Sequence, residues 1–199
     1  MNTFPTLDIE RATGAKIVAG VDEAGRGPLC GPVVAAAVII PANAKITCKI
    51  NDSKKMTARA RAVAFDWIME NCAVGVGLCS PEEIDEINIL NASMLAMRRA
   101  LDNLPHAPDF VLVDGNKMPD GVNGLAIVGG DAKSLSIAAA SVIAKQTRDK
   151  IMCNLATKFP EYGWDKNSGY PTAAHLQAMR KFGINEHYRK SYKPVKELL

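Results

Sequence analysis

G-V-D-E-A-G-R-G-P-L-C-G-P-V-V, residues 20–34, closes an apolar run on two adjacent acids, Asp22 and Glu23, passes through an arginine boxed by glycines, and opens a second apolar run after Pro32. The flanking segments K-I-V-A-G-V-D (16–22) and P-V-V-A-A-A-V-I-I (32–40) are rich in β-branched residues and separated by Gly and Pro, so they read as neighbouring antiparallel strands. The glycines do not make a dinucleotide loop: the spacing is G-x-G-x-x-x-G, and a proline and a strand follow instead of a helix. The Lys-Ser/Thr ending of a P-loop is also absent. A strained connection, with glycines at positive φ and prolines fixing the exit, and a functional turn both fit these residues.

Working outward, the polar loop N-D-S-K-K-M-T leads into a helix over about 58–71, with Thr57 as its N-cap. Residues 73–79 read as a third strand. Ser80-Pro81-Glu82-Glu83 has the cap, proline and acidic first turn of a helix start, and 88–104 continue as an amphipathic helix. Strands are expected at 110–113, ending on Asp114, and at 125–128, running into Asp131. The long helix from about 136 to 158 begins S-I-A-A-A-S-V-I-A-K, small enough to press close against a sheet. A last helix is expected over 172–182. This order predicts an α/β protein with a mixed sheet flanked by helices.

The chain of 199 residues, 48% hydrophobic and 23% charged, fits one domain, with a core over about 17–160 and a C-terminal helical region over about 161–199. It has no apolar run of membrane-spanning length and no signal-peptide pattern in its first sixteen residues, so a cytoplasmic protein without a membrane partner is expected. Five cysteines without C-x-x-C spacing read as reduced small hydrophobes. The net charge of +3 does not by itself imply a nucleic-acid partner. Residues 180–199, however, set Arg180, Lys181, Arg189, Lys190, Lys193 and Lys196 against Glu186 and Glu197, a patch suited either to phosphates or to plain solvation.

Asp22, Glu23, Asp114 and Asp131 each lie near a strand end, where a twisted sheet can gather them. Clustered carboxylates repel one another unless cations are present, and hard divalent ions such as Mg²⁺ or Mn²⁺ take oxygen ligands of this kind. Neighbours along a strand point to opposite faces, so Asp22 and Glu23 share one site only if the strand bends or lends a carbonyl. Taken singly, Asp114-Gly115 is also a common turn, and Asp131 a possible helix cap.

Several long segments carry a resemblance: V-D-E-A-G-R-G-P-L-C-G-P-V-V-A-A-A-V (21–38), N-D-S-K-K (51–55), E-I-D-E-I-N-I-L (83–90), V-L-V-D-G-N (111–116), G-D-A-K-S-L-S-I-A-A-A-S-V-I-A-K-Q-T-R-D (130–149) and G-Y-P-T (169–172). Together the chain resembles the bacterial type 2 ribonucleases H, the ribonuclease HII family. The resemblance implies a ribonuclease H-like fold and assigns catalysis and metal binding to Asp22, Glu23, Asp114 and Asp131, with two Mg²⁺ or Mn²⁺ ions. It further implies cleavage of RNA in RNA/DNA hybrids and on the 5′ side of single ribonucleotides in duplex DNA, leaving 3′-hydroxyl and 5′-phosphate ends, in ribonucleotide removal during replication and repair. Gly25, Arg26 and Gly27 are implied to sense the ribose 2′-hydroxyl, Tyr170 to stack on the sugar at the junction, and Lys54 and Lys55 to contact phosphates. The chain departs from the family at Ser168, where lysine is frequent. A monomer is expected. A DNA-cutting enzyme of the same fold and a non-catalytic hybrid-binding module are the competing readings.

Lys145 and Arg148, on the long helix, are read as phosphate contacts or partners of nearby acids. The histidines are given no catalytic role, and Glu83, Asp85 and Glu86 are read as helix-start and packing residues.

Overall fold

The computed structural model describes residues 4–199; the first three residues, part of the stretch read for a signal sequence, lie outside the described residues. Among the described residues, five strands form one sheet: β1 (Val18–Ala24), β2 (Val33–Ile39), β3 (Ala73–Cys79), β4 (Phe110–Asp114) and β5 (Gly124–Ile127). Their order is β3-β2-β1-β4-β5. β2 is antiparallel to both β1 and β3, as a tight turn after β1 requires, whereas β4 and β5 run parallel to β1 after longer crossovers. Among the described residues, seven α-helices accompany the sheet: α1 (Asp8–Ala12), α2 (Ala58–Asn71), α3 (Pro81–Asp102), α4 (Leu135–Lys158), α5 (Trp164–Asn167), α6 (Ala173–Phe182) and α7 (Lys193–Lys196). Among the described residues no helix is long and apolar enough to cross a membrane.

The helix starts follow local chemistry. The hydroxyls of Thr57, Ser134 and Thr172 accept the N–H groups of Ala60, Ile137 and His175, and Ser80 with Glu83 forms a reciprocal capping box on α3. In α3, Asn88 sits at φ 65° and ψ 162°, so the element is two helices joined at a kink; the Asn88 side chain caps the second by accepting from Leu90 and Asn91.

Two apolar layers cover the sheet. α2 and α4 pack on one face through Trp67, Ile68 and Leu135–Ala144, and α3 packs on the other through Ile84, Ala92, Ala96 and Met97. The small residues at the start of α4 allow the close approach expected of them: a Cβ on Gly20 would overlap the backbone of Ser136 and Ile137. A third cluster joins the β1–β2 turn (Leu29, Cys30) and the second half of α4 (Met152) to Tyr162, Trp164, Met179 and Tyr188 of the C-terminal region. That region thus rests on the turn that opened the sequence. Glu10 of α1, which the sequence reading left unassigned, is buried and accepts from the Ser134 hydroxyl and the Ser136 N–H, tying the N-terminal segment to the first turn of α4.

Candidate active site

The parallel pairing of β1 with β4 aligns Val21 with Val113, so the register carries Asp22 and Asp114 side by side to the carboxyl ends of their strands. Ligand sites in α/β sheets form at such ends. Asp131 arrives differently from the expectation of a strand end: β5 stops at Ile127, left-handed Gly129 turns the chain, and Asp131 lies in a 3-10 turn over Gly130–Ala132. The Gly130 N–H donates to Asp114 Oδ1 at 2.7 Å and locks this turn onto β4. Nor is Asp131 the cap of α4; Ser134 is. One carboxylate oxygen each from Asp22, Asp114 and Asp131 lie within 4.8 Å of one another. Among the described residues no basic side chain pairs directly with any of the three.

The structure brings these three aspartates together and sets Glu23 beside them. β1 keeps its antiparallel pairing with β2 through Ala24, and the Glu23 carboxylate pairs with Arg26 at 3.4 Å. Burial pushes the Glu23 carboxyl above its usual range; Arg26 works against that push and Asp114 adds to it. Asp22 is pushed well above the carboxylate range by burial first and then by Glu23 and Asp114. Its Oδ1 accepts the Glu23 N–H at 2.7 Å. Asp131 is also raised, by burial, Asp52 and Asp114. Acids held this way are poor company for each other and good ligands for a hard cation.

The residues expected to meet substrate line a cleft of ≈ 260 Å³ next to Glu23: Gly25, Arg26, Gly27, Lys54 and Tyr170, joined by Lys145. Gly25 adopts φ +100°, and a Cβ on Gly27 would come within 3.4 Å of the Tyr170 ring. Lys54 faces the acids: burial opposes its charge, but Asp22, Asp52, Asp131 and Asp114 outweigh burial and raise its pKa. Lys55 does not reach the cleft and pairs with Asp52 at 3.6 Å. The loop bearing them is pinned to α4 by a 2.8 Å hydroxyl pair between Ser53 and Ser141. A larger hollow of ≈ 440 Å³ beside α1, at the other end of β1, is mainly apolar and has Glu10 as its one acid.

Other positions separate cleanly. Lys145 pairs with Asp149 at 2.7 Å. Glu83 pairs with Arg99, and Asp85 accepts the N–H groups of Lys190 and Ser191, so both serve packing as expected. His175 is buried; with Nε2 accepting from Trp164, its Nδ1 donates to the Tyr170 carbonyl at 2.8 Å, and burial pulls its pKa down. Arg189 leaves the proposed surface patch altogether, being 0% exposed, and Arg148 is 1% exposed. The sequence reading missed Ser141 and Asp52 as neighbours of the acids, and the buried role of both arginines; their only signal was polarity inside or beside apolar runs.

A mixed sheet with acids converging at the ends of adjacent parallel strands, beside a glycine turn, defines the chain as a nuclease-type phosphodiester hydrolase of the ribonuclease H fold. The ribonuclease HII family model matches residues 19–195, and the chain belongs to that family, a metal-dependent endoribonuclease. It is 52% identical to a ribonuclease HII of Magnetococcus marinus, over 98% of this chain and 95% of that protein. The ribonuclease H2 of Pyrococcus horikoshii OT3 superposes with a TM-score of 0.75 at 29% identity, covering 92% of this chain and 96% of that one. Bst-RNase HIII, solved in complex with Mn²⁺, shares the fold with a TM-score of 0.71 at 17% identity, over 92% of this chain and 69% of that one.

Proposed function

We propose that the chain hydrolyses RNA paired with DNA and cuts duplex DNA on the 5′ side of a single embedded ribonucleotide, leaving 3′-hydroxyl and 5′-phosphate ends. The observation that carries this reading is the convergence of Asp22, Asp114 and Asp131 oxygens within 4.8 Å beside the cleft of Gly25–Gly27 and Tyr170. The residues fit divalent ions: three hard oxygen donors, half-buried or deeper, with no paired cation among the described residues. Asp22, Asp114 and Asp131 would hold two Mg²⁺ or Mn²⁺ ions with Glu23 assisting; when bound, the ions supply Lewis acidity for the attacking water and for the charge on the leaving 3′ oxygen.

The rest is the work of the chain itself. Reading RNA against DNA means reading one hydroxyl, and glycines let main-chain groups reach it next to a phosphate. Arg26, about half exposed, can swing from Glu23 to that phosphate, where its guanidinium gains charge-assisted hydrogen bonds. Half-exposed Tyr170 offers a ring face for the sugar at the junction. Lys54 steers the phosphate toward the acids, and the helical region after about residue 160 holds Tyr170 in place. The enzyme acts as a monomer in removing misincorporated ribonucleotides. The test is an assay on duplex DNA with one internal ribonucleotide, with Mg²⁺ or Mn²⁺ and mapped product ends. Cutting 5′ of the ribonucleotide, and none of the all-deoxy duplex, is expected; equal cutting of both refutes the reading.

A further inference from the structure

The turn bearing Gly25, Arg26 and Gly27 is held from behind by two cations that no acid neutralises. Arg148, on α4, donates Nε to the Pro32 carbonyl at 3.0 Å, Nη2 to Cys30 at 3.1 Å and Nη1 to Ser168 at 2.9 Å. Arg189, beyond α6, donates Nη2 to the Gly25 carbonyl at 2.6 Å, Nη1 to Arg26 at 3.0 Å and both Nε and Nη2 to Gly31. The Tyr192 hydroxyl adds a 2.7 Å bond to the Arg26 carbonyl. Among the described residues neither arginine forms an ion pair. Burial pulls both guanidinium groups below their ordinary pKa, Arg148 to about 10 with the charge of Arg189 adding to the effect, yet an arginine stays cationic at neutral pH.

Two buried cations satisfied by carbonyls and, for Arg189, by the Tyr192 hydroxyl as well are a costly way to fill space, since an apolar side chain of similar volume would do so without desolvating a charge. What they accomplish is directional. The carbonyls of residues 25, 26, 30, 31 and 32 all accept bonds from the guanidinium groups. The N–H groups of Leu29 and Gly31 bond to Gly169 and His187. Those of Arg26 and Gly27 have no acceptor among the described residues, and both residues line the cleft. Through Ser168, Arg148 also ties the segment carrying Tyr170 to the same turn. Asp85 of α3 anchors the backbone just after Arg189 by accepting from Lys190 and Ser191.

We propose that Arg148 and Arg189 are positioning residues for ribonucleotide recognition: by drawing the carbonyls of the turn inward they leave the Arg26 and Gly27 N–H groups as donors toward the substrate sugar and hold Tyr170 opposite them. This rests on the reading of the turn as a 2′-hydroxyl sensor. Lysine cannot replace the fork, because an ammonium has three donors around one point and cannot span several carbonyls.

The test compares KM for a duplex with one ribonucleotide against the inhibition constant of the all-deoxy duplex of the same sequence, which lacks only the hydroxyl. In Arg189→Lys, KM is expected to rise about tenfold, the factor one lost hydrogen bond to a charged group commands, while the inhibition constant of the deoxy duplex stays unchanged. Tyr192→Phe, which deletes the hydroxyl's bond to the Arg26 carbonyl and the bond it accepts from Arg189 Nη1, keeps the measurement possible if Arg189→Lys does not fold; it is expected to raise KM by about threefold with the same selectivity. A parallel rise of both constants, or an unchanged KM in a folded Arg189→Lys and in Tyr192→Phe, overturns the proposal while leaving the sensor reading in place. A wild-type protein that binds both duplexes equally and does not cut at the ribonucleotide overturns the sensor reading, and the positioning role with it.

Discussion

The acids at the ends of β1 and β4 and the arginines behind the β1–β2 turn are opposite solutions to burying charge. Asp22, Asp114 and Asp131 crowd together with no paired cation among the described residues, and the Asp22 and Asp131 carboxyls are pushed up by burial first and then by neighbouring acids, Asp114 among them for both. Arg148 and Arg189 are buried more deeply still, yet their donors reach backbone carbonyls at ordinary hydrogen-bond distances. The first group accepts a few N–H bonds, but among the described residues its charges meet no paired cation, which leaves it open to a ligand. The second is satisfied by the fold and therefore rigid. Site and sensor are distinguished less by the kind of charge than by whether the protein has already met its needs.

The largest break in that comparison comes from Asp22→Asn. It should lower cleavage by about a thousandfold or more, as loss of a ligand essential to metal-assisted hydrolysis does, while raising metal-free stability by about 1 kcal/mol because a buried repelled charge is removed. The Oδ1 acceptor for the Glu23 N–H survives the change. Thermal melts with and without divalent ions, alongside the assay, check both signs.

Next in size is the pH dependence. The folded-state pKa of Asp22 lies above the ordinary 3.8, so its contribution to stability is fully present below that value and lost as pH rises through the folded pKa. Asp131 and Glu23 carry the same sign. The melting temperature of the metal-free wild type should therefore fall relative to Asp22→Asn as pH rises from about 4 toward neutrality. A gap that does not widen with pH would remove the strain from the account of the acids.

Smaller effects fall on the sensor side. Tyr170→Ala and Arg26→Ala should each reduce cleavage at a single ribonucleotide by about ten- to a hundredfold, with melting temperatures near wild type, since both side chains are about half exposed. Unfolding of either would make them structural. The mildest pair separates the two lysines of one loop: Lys54→Ala should raise KM by about threefold, and Lys55→Ala, whose exposed ammonium reaches only Asp52 at 3.6 Å, should change it little.

Much of the fold was legible because it is written locally. Thr57, Ser80 and Thr172 cap the helices that their positions announced, and the apolar runs at 32–40 and 73–79 became β2 and β3. The three aspartates were legible through their places at or beyond strand ends. What escaped depends on distant partners. Asp131 was read at a strand end because nothing local reveals that β5 stops at Ile127 and that Gly130 bonds back to Asp114. Strand alternation allows Glu23 to share the site with Asp22 only through a bend or a backbone carbonyl, and its pairing with Arg26 could not be read from the sequence. Arg189 was counted in a basic surface patch because the carbonyls that bury it lie more than 150 residues earlier.

The most direct measurement is calorimetric titration of Mn²⁺ into the metal-free protein near neutral pH. Binding is predicted for the wild type and for Lys55→Ala, and loss of that binding is predicted in Asp22→Asn and Asp131→Asn. Undiminished Mn²⁺ affinity in both aspartate variants would contradict the account.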